Sequence, residues 1–289
     1  MYAPEFDYYK AGSVNEAREL LAQHPDAKLL AGGHSLIPIL KLRLAEPSAL
    51  IDIGRIDALR GIDADGDTIR IGALTTHSEI AASEIVSSKA EALGEAAGQI
   101  GDPAVRNRGT IGGNVAHADP ASDLPAVLAC LCAGFVIEGP GGGRTLGASG
   151  FFQGLMTTAL GEDEVLTGIE VPAAQAGEAS AYAKFPHPAS RYAVIGAAAK
   201  IGRSNGVCTS ARVVVGGLVT APVRATEVEA ALAGQELTPE AIAQASKQVI
   251  ASLDDDDLLG DVFASAAYRK ASAHVWVRRA VAAAAARTS

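Results

Sequence analysis

The chain has little cysteine. Cys130, Cys132 and Cys208 are its three, too few for a disulfide framework and one short of the four thiolates that hold an iron–sulfur cluster. Any redox chemistry therefore needs an organic cofactor or a centre on a partner. Cys130 and Cys132 lie in Leu128-Ala129-Cys130-Leu131-Cys132-Ala133, an apolar stretch that predicts burial of both thiols. No apolar run approaches the roughly 20 residues of a membrane helix. The start, Met1-Tyr2-Ala3-Pro4-Glu5, has neither the basic nor the apolar region of a secretory signal, so the expected location is cytoplasmic, with any membrane association made through a complex with partners. Basic residues are scarce and scattered, 24 Lys and Arg against 33 Asp and Glu for a net charge of −9. This excludes a broad nucleic-acid face, which needs clustered cations. Two nucleotide signatures are absent as well: no Gly-x-Gly-x-x-Gly follows the first strand, and no Gly-Lys-Ser/Thr loop occurs.

What the sequence does have is 289 residues, 48% of them apolar, enough for two or three compact units. Ser13-Val14-Asn15-Glu16 fits a capping box that opens a helix through about His24. Strands are expected at Lys28–Ala31, Ala49–Ile53 and Asp67–Leu74, with a short amphipathic stretch over residues 35–44. One helix is predicted over residues 87–100, then an irregular passage from Gly101 to about Asp123. Loops of that length in compact domains usually bind something. A helix over 124–133, extended segments at 135–137 and 164–171, and a small polar linker over 173–178 follow. Three strands (181–185, 194–201, 211–218) and three helices (224–233, 239–252, 261–286) close the chain, the pattern of a separate α+β unit. Thr238-Pro239 is a strong helix start. The acidic run Asp254–Asp257 suits a solvated loop before the last helix.

Two segments pair Gly-Gly with small polar residues: Ala31-Gly32-Gly33-His34-Ser35 and Thr110-Ile111-Gly112-Gly113-Asn114. Glycine permits positive φ and close backbone approach, and successive N–H groups in such turns form anion-binding concavities. Ser35, Thr110 and Asn114 add polar side chains, so the two segments together could hold the two phosphates of a dinucleotide. A lone Gly-Gly is most often only a turn.

The fuller motifs are more specific. Ala31-Gly32-Gly33-His34-Ser35-Leu36, followed by Leu40-Lys41-Leu42-Arg43-Leu44 and Leu50-Ile51-Asp52-Ile53, resembles the first FAD-binding stretch of the medium subunit in the xanthine dehydrogenase and carbon monoxide dehydrogenase family of molybdenum hydroxylases. Thr110–Asn114 with His117-Ala118-Asp119-Pro120-Ala121-Ser122-Asp123-Leu124-Pro125 resembles the second. The resemblance spans nearly the whole chain, and His34, where many relatives have Gln, is similar to the carbon monoxide dehydrogenase branch. It implies an α+β fold: a two-subdomain FAD-binding domain of the vanillyl-alcohol-oxidase type over residues 1–175 (subdomains about 1–57 and 58–175), then a C-terminal domain over 178–286 with a small antiparallel sheet and helices. Carried over by position, residues 31–35 with Leu36, and Thr110, Gly112, Gly113 and Asn114, would embrace the FAD pyrophosphate. Asp123 would bond the ribose or adenosine part and Leu166 would line the adenine pocket. Lys184, Ile100 and Tyr192 would lie by the isoalloxazine ring.

The resemblance further implies partners: a large subunit with the molybdenum cofactor and a small one with two [2Fe–2S] clusters, assembled as a dimer of heterotrimers. FAD here would pass electrons on to a quinone or another acceptor. No residue of this chain would be catalytic as an acid or base; the protein orients and tunes its cofactor.

Other readings stand beside these. A Gly-Gly-His-Ser segment also occurs where flavin is joined covalently to histidine in distant oxidases. His117, Asp119 and Asp123 are close enough in sequence for a divalent metal, although turn and cap chemistry accounts for the two carboxylates. Lys184 is either an edge-strand residue or a cation beside the flavin. Tyr268 and Trp276 on the last helix are expected to pack rather than relay electrons. A medium subunit for a purine, aldehyde or N-heterocycle, a stand-alone flavin reductase and a nucleotide-binding scaffold are the rival functions.

Overall fold

The computed structural model describes residues 2–288. It opens with strand β1 (Asp7–Lys10), helix α1 (Val14–Gln23), strand β2 (Lys28–Leu30), helix α2 (Leu36–Lys41) and strand β3 (Ala49–Asp52). The three strands form a parallel sheet with β3 in the middle. Covered on both faces, β3 is apolar without alternation, and Ala49, Leu50 and Ile51 are buried. Ser13 caps α1 by accepting the Glu16 N–H at 3.1 Å. The Glu16 carboxylate takes the N–H of Gly12 at 2.7 Å rather than that of Ser13, so the expected box is closed one residue early.

The middle of the chain holds β4 (Ile62–Asp65), β5 (Thr68–Gly72), α3 (His77–Ala82), α4 (Glu84–Lys89), α5 (Glu91–Gln99), α6 (Pro103–Arg106), α7 (Ile111–His117), α8 (Asp123–Cys130), β6 (Gly134–Gly139), β7 (Gly142–Gly147), α9 (Ala148–Phe151), the short pair β8 (Phe152–Gly154) and β9 (Thr157–Thr158), and β10 (Val165–Pro172). Its antiparallel sheet runs β4-β5-β10-β6-β7. In β6 the pleat alternates, Phe135 and Ile137 inward, as period-two patterning requires.

Several expectations are corrected here. The predicted helix over 87–100 is two helices broken at Ala90. The passage 101–123, expected to be irregular, contains α6 and α7. Asp102 caps α6 and Thr110 caps α7, with Pro103 and Ile111 at the first turns; glycine and proline density had masked two short helices. Cys130 is buried, whereas Cys132 is exposed, because α8 has ended and Cys132 turns out with φ +59°.

The last part contains β11 (Glu178–Pro186), β12 (Ala193–Ser204), β13 (Val207–Gly216), β14 (Val223–Arg224), α10 (Thr226–Leu232), α11 (Pro239–Ser246) and α12 (Ala266–Arg287). The four strands form an antiparallel sheet in sequence order. One face packs on α12, which presents Ala273, Val277, Ala280, Val281 and Ala284 at helical spacing. The other face, through Tyr182, Ala198 and Val214, completes the core of the middle part beside α5 and α8. Both faces being covered, the centre of β12 is a run of small apolar residues.

The free edge of β11 is closed by α5. Glu91 accepts the Ser180 N–H (3.1 Å) and hydroxyl (2.8 Å), and Glu95 accepts the Tyr182 N–H (2.8 Å). The carbonyl of Gln99 accepts the Lys184 ammonium at 3.1 Å. Four residues of helix rise about 6 Å and two of strand about 6.6 Å, so positions 91, 95 and 99 meet 180, 182 and 184 in step.

Candidate FAD site

The site is a cleft of about 410 Å³ between the first two parts, with the 190–192 turn at its rim. Of the fifteen residues singled out from sequence, fourteen line it. Residues 31–36 form one wall, and Thr110, Gly112, Gly113 and Asn114 the facing one; Ile100, Asp123, Leu166 and Tyr192 complete the set. Lys184 is the exception, sitting one layer behind.

The two Gly-Gly segments are not equivalent. In the first, Gly33 adopts φ +74°, a conformation costly for any other residue. Among the described residues, none accepts the backbone N–H of Gly32, Gly33, His34 or Ser35. That leaves a run of free donors on the cleft wall, a suitable nest for an anion. In the second segment the first-turn donors of α7 are spent inside the protein. Ile111 N–H goes to Thr75 O (3.0 Å), Gly112 N–H to Ala73 O (2.8 Å) and Gly113 N–H to Thr110 Oγ1 (3.2 Å). Its glycines serve close packing instead: a Cβ on Gly112 would lie 2.6 Å from Ala73 Cβ. The expectation that both segments offer a run of backbone N–H groups to phosphate is therefore corrected for the second, where the Thr110 N–H, without an acceptor among the described residues, and side chains remain. Ser122 donates to Asn114 Oδ1 at 2.8 Å, leaving the Asn114 N–H pair free.

The walls meet at Gly32. A Cβ there would fall 2.1 Å from Arg108 O and 3.0 Å from Gly109 Cα, so only glycine lets the 31–35 turn dock on the 108–110 segment that leads into α7. Next to this junction lies His77, the first residue of α3, which sequence reasoning passed over. It is 3% exposed and lines the cleft. Burial, and then the nearby His34, push its imidazolium down to about 4. His34 itself donates Nδ1–H to Gly32 O at 3.0 Å, a carbonyl being able only to accept.

At the inner end, Asp123 is buried with Lys184 Nζ at 2.9 Å and accepts the Tyr182 hydroxyl at 2.6 Å. Burial pushes the Asp123 carboxyl up, while Lys184 and Tyr182 pull it back. Burial also drives the Tyr182 phenol well above its ordinary range, with Asp123 adding to the rise. Asp119 lies apart from this group and closes a turn by accepting the Ala121 N–H at 2.9 Å. Tyr192 reaches over the rim toward Ser35, its phenol raised by burial and by Asp119. Trp276 stacks on Phe185 (5.6 Å between centroids, 8° between planes), and Tyr268, half exposed, packs on the same ring.

A cradle that any Cβ would fill, a row of free N–H groups and an apolar end at Leu160 and Leu166 suit a dinucleotide with a planar base. Comparison with known proteins agrees. Residues 4–174 match the FAD binding domain in molybdopterin dehydrogenase, and residues 180–284 the CO dehydrogenase flavoprotein C-terminal domain. The chain belongs to the FAD-binding medium subunits of the molybdenum hydroxylases. It is similar to the carbon monoxide dehydrogenase medium chain of Hydrogenophaga pseudoflava, 43% identical with 99% of each chain covered. A solved structure of carbon monoxide dehydrogenase from that organism, lacking the Mo-pyranopterin moiety, superposes with a TM-score of 0.94 at 45% identity over 99% of both chains. The nicotine 6-hydroxylase medium subunit of Paenarthrobacter nicotinovorans is 33% identical over the full length of both. As a medium subunit of this family the chain is an oxidoreductase component whose own cofactor is FAD, the molybdenum and iron–sulfur centres belonging to other subunits of the complex. No helix among the described residues is long and apolar enough to cross a membrane.

Proposed function

We propose that this chain is the electron outlet of a three-subunit carbon monoxide dehydrogenase. The reading rests on the end-to-end likeness to a carbon monoxide dehydrogenase medium chain, supported by a cleft whose lining fits FAD. Bound FAD supplies the exchange between one-electron carriers and a two-electron acceptor such as a quinone. The chain's own residues bind and orient it. The free N–H groups at 32–35 take the pyrophosphate, the side chains of Thr110 and Asn114 face it, and Leu166 covers the adenine. Ile100 and Tyr192 flank the isoalloxazine ring. Asp123 holds the inner wall and bonds the ribose or adenosine part, with Lys184 neutralising it from behind. The proposal includes a cytoplasmic dimer of heterotrimers and the division into residues 1–175 and 178–286.

A second substrate class is favoured by one observation: a nicotine 6-hydroxylase medium subunit covers this chain end to end, so the same kind of subunit serves an N-heterocycle. Affinity capture of the chain from its native cell, with flavin, iron and molybdenum assayed in the eluate and the complex offered carbon monoxide or an N-heterocycle, tests both. FAD with two partner chains and reduction by carbon monoxide is the expected result. Reduction by the heterocycle alone would replace the substrate, and FAD without partners would point to a stand-alone flavin enzyme.

A further inference from the structure

The cleft offers an anion four backbone donors on one wall and, on the other, a helix start whose first-turn N–H groups are already used, with the Thr110 N–H alone left over among the described residues. A dinucleotide diphosphate held between them is then met on the second wall mainly by side-chain donors. His77 is placed for this. Its ring packs on Gly109, close enough that a Cβ there would lie 2.9 Å from Nε2, and Gly109 in turn abuts Gly32 at the junction of the walls. Among the described residues neither ring nitrogen has a hydrogen-bond partner; Nδ1 is fully buried, and Nε2, beside Gly109, is the nitrogen left reachable from the cleft. A polar side chain this buried and without partners costs free energy, and a ligand oxygen accepting from Nε2 would recover part of that cost.

We propose that His77 is a cofactor-positioning residue that donates a hydrogen bond to the diphosphate of FAD, completing from the α3 side the cradle built by residues 32–35. The inference rests on the FAD reading and adds to it a residue outside both glycine motifs. A neutral imidazole suits this role, since it can donate to an anionic oxygen yet leaves no buried cation before the cofactor binds. The charge state follows from its burial beside His34. Since a hydrogen bond to a charged group contributes about 1.5–3 kcal/mol, its loss should weaken FAD binding by roughly tenfold or more.

The test uses the assembled complex carrying His77→Leu or His77→Gln, with iron and molybdenum content as the measure of assembly and the FAD dissociation constant read from flavin fluorescence. The expected result is an FAD affinity about tenfold weaker with Leu and largely restored with Gln, while FMN, which lacks a diphosphate, binds all three proteins alike. Should the Leu variant fail to assemble, diethyl pyrocarbonate footprinting of His77 in the FAD-depleted native complex decides. Protection by ADP and not by adenosine supports the assignment, and equal modification in both overturns it. Leu and native proteins within twofold of each other overturn it too, leaving the FAD reading intact. A native complex assembled without FAD instead removes the reading beneath it.

Discussion

Lys184 Nζ lies 2.9 Å from Asp123 Oδ1 with both side chains buried, and this ion pair joins the cleft wall to the C-terminal sheet. Breaking a buried pair from one side leaves a charge without compensation, which costs about 3–5 kcal/mol. Lys184→Met should therefore destabilise the chain by that order. Asp123→Asn should do likewise, and the double variant should recover part of the loss. Urea denaturation of the four proteins in a double-mutant cycle checks this; additive losses would mean that the pair carries no coupling.

Gly32→Ala should separate the two walls, because its methyl would overlap the Arg108 carbonyl. The expected outcome is a protein with little bound FAD and faster proteolysis between residues 31 and 36. Gly141→Ala, where a Cβ meets nothing within 4 Å, is the control and should retain native flavin content.

His77 gives the FAD-free protein an acid sensitivity of definite sign. Its folded value of about 4 lies below the ordinary 6.5, so the unfolded chain binds the proton more readily. The contribution is full above pH 6.5 and is lost as pH falls toward 4. The difference corresponds to a loss on the order of 3 kcal/mol. Thermal midpoints at pH 7 and 4.5 should fall further for the native chain than for His77→Gln; parallel falls would contradict it.

Thiol chemistry separates the three cysteines. Burial pushes Cys130 up to about 12 and raises Cys208, whereas Cys132 is exposed. Iodoacetamide should label Cys132 alone in the folded free chain and all three residues in denaturant, as peptide mass spectrometry will read.

Much of this was legible in the sequence because the motifs report backbone necessity. Gly32 and Gly33 stand where a side chain or a negative φ cannot, and the strands at 28–30, 49–52 and 165–172 follow from apolar runs bounded by turns. The helical character of residues 111–117 was hidden because glycines chosen for close packing resemble glycines chosen for turns. His77 carried no local signal. Its role depends on Gly109 and Gly32, which are distant in sequence and meet only once the walls have docked. Lys184 was readable as important, but not that Asp123 stands between it and the cleft.

The carboxylates of Glu91 and Glu95 along the edge of β11 bear on how the protein can be cut. The two matched regions, 4–174 and 180–284, invite expression as separate fragments. Freed of α5, the C-terminal fragment would present a nine-residue strand with unpaired N–H groups, together with the uncovered Tyr182, Ala198 and Val214 face. An open, apolar edge of that kind recruits strands from other copies, so the fragment is a candidate for aggregation. α5 is thus a solubility element for a sheet it does not belong to.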